Sequence, residues 1–174
     1  MPRLSDDILI GGARIFVVDG ETRHELGWLT GEFKLEEQAD SITVKESEGG
    51  TVLTLATNKE VHLTFSMLEC NLDTIVLLNP SAKKTTKGYA VGSYQSEKMY
   101  QFELWSKKRS GKYRGLIIYK GKISGNFTAF LMNQDNESPI AVDIVGIEDS
   151  SKGTEENIYE QIECEADDVP GGGW

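Results

Sequence analysis

The chain has 174 residues, 39% hydrophobic and 26% charged, which suits one domain with a core of its own and excludes wholesale disorder. Eighteen basic against 28 acidic side chains give a net charge of −10, the wrong sign for gripping nucleic acid through phosphate and the right one for avoiding it. No apolar stretch marks the opening MPRLSDDILIGG as a signal peptide, and no run approaches the ~20 residues of a membrane span, so neither export nor a membrane anchor is expected.

ILIGGARIFVV reads as strand, interrupted at Gly11-Gly12, then strand. VDGETRHELG reads as a hairpin turning on Asp19-Gly20. From Gly31 to Phe65 runs the longest β-rich region, with SITVKE and TVLTLAT as the β-branched arms of a long hairpin and Glu48-Gly49-Gly50 as its turn. VHLTFSMLECNLDTIVLLN then changes rhythm. Val61, Leu63, Phe65 and Met67 alternate with polar residues, as in a half-buried strand. Leu68, Leu72, Ile75 and Val76 follow helical spacing.

A helix is therefore expected over about 69–79, ending before Pro80, with Leu72, Ile75 and Val76 packed inward against the strand carrying Leu63 and Phe65. SAKKTTKG reads as a polar, basic loop. YAVGSY, KMYQFELWSKK, YRGLIIYKGKI, FTAFLMNQ and SPIAVDIVGIED read as further strands, the last with Ile140, Val142 and Ile144 on one face. After Glu148 the sequence turns acidic, and the spacing of Ile158 and Ile162 allows a short helix. The expected organisation is a β domain over 1–148 and an acidic C-terminal tail over 149–174, with Gly171 to Trp174 flexible. The fold class is mainly β: an antiparallel β-sandwich or barrel with one flanking α-helix and a long β-hairpin.

Catalytic chemistry is hard to find. His24 and His62 are the only histidines, and His62 lies on the strand face opposite Val61 and Leu63, where a surface or interface position is the simplest reading. Cys70 opens the helix and Cys164 lies in the tail; both read as reduced thiols. No Cys or His pair has zinc spacing, and no phosphate loop appears. Asn133 to Ser138, NQDNES, lacks the frame of a calcium loop and reads as a turn. The glycan acceptor pattern at Asn126 has no meaning without secretion. The basic patches SKKRSGK and SAKKTTK fall at expected loop tips, and Trp105, Tyr113 and Tyr119 read as packing residues, with sugar stacking left open. No enzyme, cofactor or metal is expected.

The order of these elements resembles the tail tube proteins of tailed bacteriophages and the related tubes of contractile injection systems. The resemblance rests on ILIGGARIFV, ELGWLTGEFKLE, the VHLTFSMLECNLDTIVLLN strand-to-helix step and FELWSKKRSGKYRGLIIYKGKI, and runs from about Ile8 to Glu148. It implies a β-sandwich or barrel-like subunit that forms hexameric rings stacked into a hollow tube through which DNA passes without specific binding. It also implies a place in the virion tail, assembly in the host cytoplasm, and tape-measure, tail terminator and baseplate or tip proteins as partners.

A ring subunit must offer sheet edges to its neighbours, and a projecting element to the next ring; the Ser41–Lys59 hairpin, with Ser47, Glu48, Gly49, Gly50 and Thr51 at its tip, suits that. A bore for DNA should repel phosphate, and Glu32, Glu36 and Asp40 share a strand parity that can line it. Lys34 and Lys45 interrupt the acidic run, and the acidic tail has no counterpart in the family pattern. The alternative is a carbohydrate-binding or adhesion β-sandwich with exposed aromatics; a jelly-roll enzyme lacks the histidine cluster it needs.

Overall fold

A computed structural model describes residues 9–26, 29–44, 53–67, 72–79, 81–93, 98–124, 139–153 and 157–173. Strand β1 (Leu9–Asp19) turns into β2 (Thr22–Glu25), with Asp19 opposite Thr22. Gly20 sits at φ 63° in this turn, a left-handed conformation that suits a residue without a Cβ. The hairpin on Asp19-Gly20 is thus present. The interruption at Gly11-Gly12 is present too, as a register break between Leu9 and Ala13 where β1 pairs with β7 (Tyr100–Lys108).

The two arms of the long hairpin are β3 (Leu29–Val44) and β4 (Leu53–Met67), paired antiparallel from Leu29–Met67 to Val44–Leu53. Its expected tip, Ser47, Glu48, Gly49, Gly50 and Thr51, lies outside the described residues. Alternation in β4 is clean: Val61, Leu63, Phe65 and Met67 are buried, while His62, Thr64 and Ser66 are half-buried on the other face.

Helix α1 (Leu72–Leu78) falls inside the expected span, but its buried face is Thr74, Ile75 and Leu78. Leu72 is 51% exposed and Val76 half-buried, which corrects the expected inward trio; only Ile75 of the three is buried. With one short helix, shifting the buried face along the 3.6-residue period exchanges Leu72 for Leu78.

SAKKTTKG is not a loop. It opens the hairpin of β5 (Ala82–Thr85) and β6 (Gly88–Val91), whose four-residue strands pair only with each other among the described residues. Asp73 of α1 ties down this hairpin through Lys84, at 2.5 Å.

β8 (Tyr113–Ile123), β9 (Ile140–Gly146) and β10 (Tyr159–Cys164) complete the large sheet. Its order is β2-β1-β7-β8-β9-β4-β3, with β10 also on β8. One edge of β8 carries β7. Along the other, β10 pairs from Tyr113 to Ile118 and β9 takes over from Gly121 to Ile123.

At this fork the sheet folds back on itself. Ile15, Val17, Phe102, Leu104 and Ile118 of one leaf meet Val61, Leu63, Phe65, Val142 and Ile144 of the other in the main core. Gly146 marks the close crossing: a Cβ there would fall 2.5 Å from Ile118 Cγ2 and 2.7 Å from Val61 Cγ2. The result is an antiparallel, sandwich-like sheet with one flanking helix.

The C-terminal region is part of this fold. Ile158 and Ile162 do not mark a helix; Tyr159–Cys164 is a strand hydrogen-bonded to β8. Beyond it, a 3-10 turn (Ala166–Asp168) brings Val169 onto the outer face of the first leaf, against Phe16, Trp105 and Tyr113. The expected boundary at Glu148 therefore cuts through the sheet. No helix among the described residues is long and apolar enough to cross a membrane.

Candidate functional site

The outward face of β3, β4 and β9 gathers four of the residues singled out from sequence: Glu32, Glu36, Asp40 and His62. Phe33 and Leu35 pack against the core, so their neighbours Glu32 and Glu36 turn away from it, and both are exposed. Asp40 is exposed on the same strand, but it lies past a register break between Gln38 and Asp40. The extra residue is on β4, where Asn58 has φ 51° and donates to Asp40 at 3.4 Å. Lys34 sits between the two glutamates and bonds Glu36 at 2.7 Å; that contact holds its ammonium above the usual lysine range. The stripe is thus a mixed one, with net negative charge.

His62 extends it. Register sets His62 opposite Glu36 on β3 and Thr64 opposite Asp143 on β9. The imidazole lies 3.2 Å from Asp143 and 3.4 Å from Glu60, and Ser124 Oγ donates to Asp143 at 2.7 Å. Burial pulls the His62 pKa down, but hydrogen bonds to Asp143 and Glu60 outweigh it, and the net direction is up. Sequence reasoning located no partner for His62. The signal was there in the alternation of SPIAVDIVG, which turns Asp143 outward once Val142 and Ile144 face the core.

One residue beyond Glu36 along β3, Glu37 bonds Lys59 at 2.8 Å and accepts a hydrogen bond from the Tyr159 hydroxyl. This ties β3 to β10 across the opening between the leaves. A groove of about 710 Å³ beside it is lined by Asn58, Glu60, Glu148 and Tyr159.

Two buried charges had no sequence signal at all. Glu103, 2% exposed, accepts from Arg23 and Gln101 at 2.9 Å and from Trp105 Nε1 at 3.3 Å. Lys108, 3% exposed, reaches Glu163 at 2.5 Å. Both carry opposite charges in contact, which is what buried ions need.

Covalent chemistry finds little here. Among the described residues no three His, Cys, Asp or Glu side chains are grouped to hold a metal. Cys164 has its thiol pushed up by burial and by Asp168 and Glu165, the opposite of an activated nucleophile. Cys70, Asn126 and the NQDNES segment lie outside the described residues. Trp105 and Tyr113 are buried packing residues, and Tyr119 is half-buried with its hydroxyl on Glu160 at 2.7 Å. SKKRSGK is split: Ser106 and Lys108 are buried, while Arg109 to Lys112 are exposed.

No protein-family model and no curated protein matches the chain. Among solved structures it is similar to the anti-feeding prophage cap, a tube-terminating cap, with a TM-score of 0.46 and 10% identity over 93% of this chain and 99% of that one. It is also similar to a chain in the tail of an empty GTA particle, with a TM-score of 0.37 and 10% identity over 76% of this chain and 89% of that one. Scores of this size describe a partial overlap and carry no function across.

Proposed function

We propose that this chain is a structural subunit of a bacteriophage tail tube. It assembles into hexameric rings, and the rings stack into a conduit for DNA in the virion tail. The observation that carries this reading is the open sheet. Among the described residues, β3 pairs only with β4 along its length and β2 only with β1. A sixteen-residue edge strand is an invitation to further pairing unless something covers it. A ring of copies covers it by placing one subunit's edge beside the next.

Charge supports the same reading. Glu32, Glu36 and Asp40 stand exposed on that edge strand, and the chain as a whole carries −10. A bore lined by them holds phosphate off the wall, so that DNA slides without binding. Salt screens the field beyond ~8 Å at physiological strength, so only wall residues close to the DNA matter. The hairpin tip at 47–51 serves stacking, and tape-measure, terminator and baseplate or tip proteins meet the ends of the tube. A sugar-binding sandwich needs exposed aromatic platforms, and Trp105 and Tyr113 are buried.

Sedimentation at high protein concentration with negative-stain microscopy tests the reading: rings or tubes are expected, and a persistent monomer overturns it. Replacing Glu32 and Glu36 with Lys should leave tubes assembled but slow genome ejection. Ejection at the wild-type rate removes these carboxylates from the channel wall. Deleting 47–51 should leave the fold intact and block stacking; tubes of normal length contradict the stacking role.

A further inference from the structure

Between the two leaves lies a cavity of about 180 Å³ that the tail-tube reading does not use. Phe33, Leu35 and Leu63 line it from one leaf, and Leu104 and Leu116 from the other. Three polar groups complete the lining: Ser106, Arg114 and Gln161. Ser106 is 3% exposed, and its Oγ has no hydrogen-bond partner among the described residues. A buried hydroxyl left unpaired is costly and uncommon. Ser106 lines this space with its Oγ closed off from solvent, so a ligand atom meets it once the hydroxyl rotates towards the cavity.

Arg114 is the second unusual group. It shares the inward face of β8 with the core residues Leu116 and Ile118, and is half-buried. Its direct cross-strand neighbour on β10 is Glu163, the obvious carboxylate for it. Glu163 is drawn elsewhere: Lys108 holds it at 2.5 Å and Lys112 approaches at 3.9 Å. Among the described residues Arg114 is left with no ion pair. A guanidinium matches the two oxygens of a carboxylate through parallel N–H donors. The Ser106 hydroxyl can add a third donor and the Gln161 amide a fourth.

We infer that this cavity binds a carboxylate carried on a short aliphatic stem. The anion sits against Arg114 and Ser106, and the stem lies among Phe33, Leu35, Leu63, Leu104 and Leu116. A volume of about 180 Å³ sets the stem length: an engineered cavity of ~150 Å³ takes a six-carbon ring, so about five methylene or methyl carbons fit. Neither a phosphate ester nor a sugar suits five apolar walls.

The test titrates sodium hexanoate into the full chain and follows leucine methyl resonances by NMR, with calorimetry for affinity. Saturable shifts are expected at Leu63, Leu104 and Leu116. Hexan-1-ol should bind at least about tenfold more weakly, R114Q should weaken hexanoate by about tenfold or more, and S106A should do so severalfold. Both substitutions remove an unpaired group, so thermal unfolding should stay near wild type and keeps the comparison meaningful. Absence of saturation, or equal affinity for acid and alcohol, overturns the site, as does an unchanged affinity in R114Q.

Two sources could supply the carboxylate: a free short-chain acid, or a glutamate side chain of a second copy. Saturating hexanoate that blocks self-association identifies the second copy; self-association unaffected by bound hexanoate identifies the free acid. The tail-tube reading stands or falls on microscopy without ligand, so the two failures are distinguishable.

Discussion

Glu103 and Arg23 meet at 2.9 Å although β1 runs between their strands. The carboxylate is 2% exposed and the guanidinium 44%. The contact fastens the short edge strand β2 to β7, and it gives a buried anion its counter-charge. R23M therefore leaves Glu103, among the described residues, with the Gln101 and Trp105 donors alone. It should lower stability by about 1–3 kcal/mol, towards the low end because half of the arginine is in water. Combining R23M with E103Q should recover part of the loss. Urea unfolding checks this, the expected change being in the midpoint with an unchanged slope.

The helix gives a second expectation. Ile75 and Leu78 are buried at 6% and 3%, against 51% for Leu72. I75A and L78A should each cost on the order of 2–5 kcal/mol as large-to-small core changes. L72A should stay within about 0.5 kcal/mol in the free subunit. A large loss in L72A under conditions where the protein is monomeric contradicts the exposed position.

His62 gives a pH dependence with a definite sign. Its ordinary value of 6.5 is raised in the folded chain, so the folded state favours the imidazolium. That contribution is complete below pH ~6.5 and is lost as pH rises through the higher folded value. Glu60 on its own strand and Asp143 on β9 hold the charge, and Glu36 stands opposite on β3. The stability difference between wild type and H62Q should be largest on the acid side of neutrality and shrink on the alkaline side. A difference that is flat from pH 5.5 to about 8.5 means the carboxylates do not hold the imidazolium.

Gly146 predicts overpacking. A Cβ at this position meets Ile118 at 2.5 Å and Val61 at 2.7 Å, and both side chains are fully buried. G146A should destabilise by about 1–3 kcal/mol. At Gly12 an added Cβ would meet nothing within 4 Å, so G12A is the matched control and should change little. Thermal unfolding of the pair reads the difference directly.

Period-two strands were legible because one face of each is buried: β4 and β9 show their core residues at every second position in the bare sequence. The Asp19-Gly20 turn was legible because its conformation demands glycine. β10 was not legible. Its burial follows no clean alternation, and what holds it is backbone pairing to β8, which leaves no mark on side-chain order. β5 (AKKT) is polar on both faces and is held by backbone pairing to β6, so it read as a loop for a similar reason. Leu72 was misplaced because a seven-residue helix has too few turns to fix the phase of its apolar face. The buried Glu103 drew no attention because its partner Arg23 lies 80 positions away, and only strand order brings the two together. The Glu32–Glu36 stripe was read from parity alone, and its relation to His62, Glu60 and Asp143 depends on register between three strands.

The fork at β8 sets an order in time. During synthesis the N-terminal part of a chain emerges first and begins to fold before the rest exists. β1, β7 and β8 can pair while β10 and Val169 are still to be made. Until then one flank of β8 has no strand along Tyr113 to Ile118, and the aromatic patch of Phe16, Trp105 and Tyr113 has no cover. The acidic segment that supplies both is thus a finishing piece. A chain halted before Tyr159 should present a sticky flank and an apolar patch, and should bind the hydrophobic dye ANS where the finished protein does not.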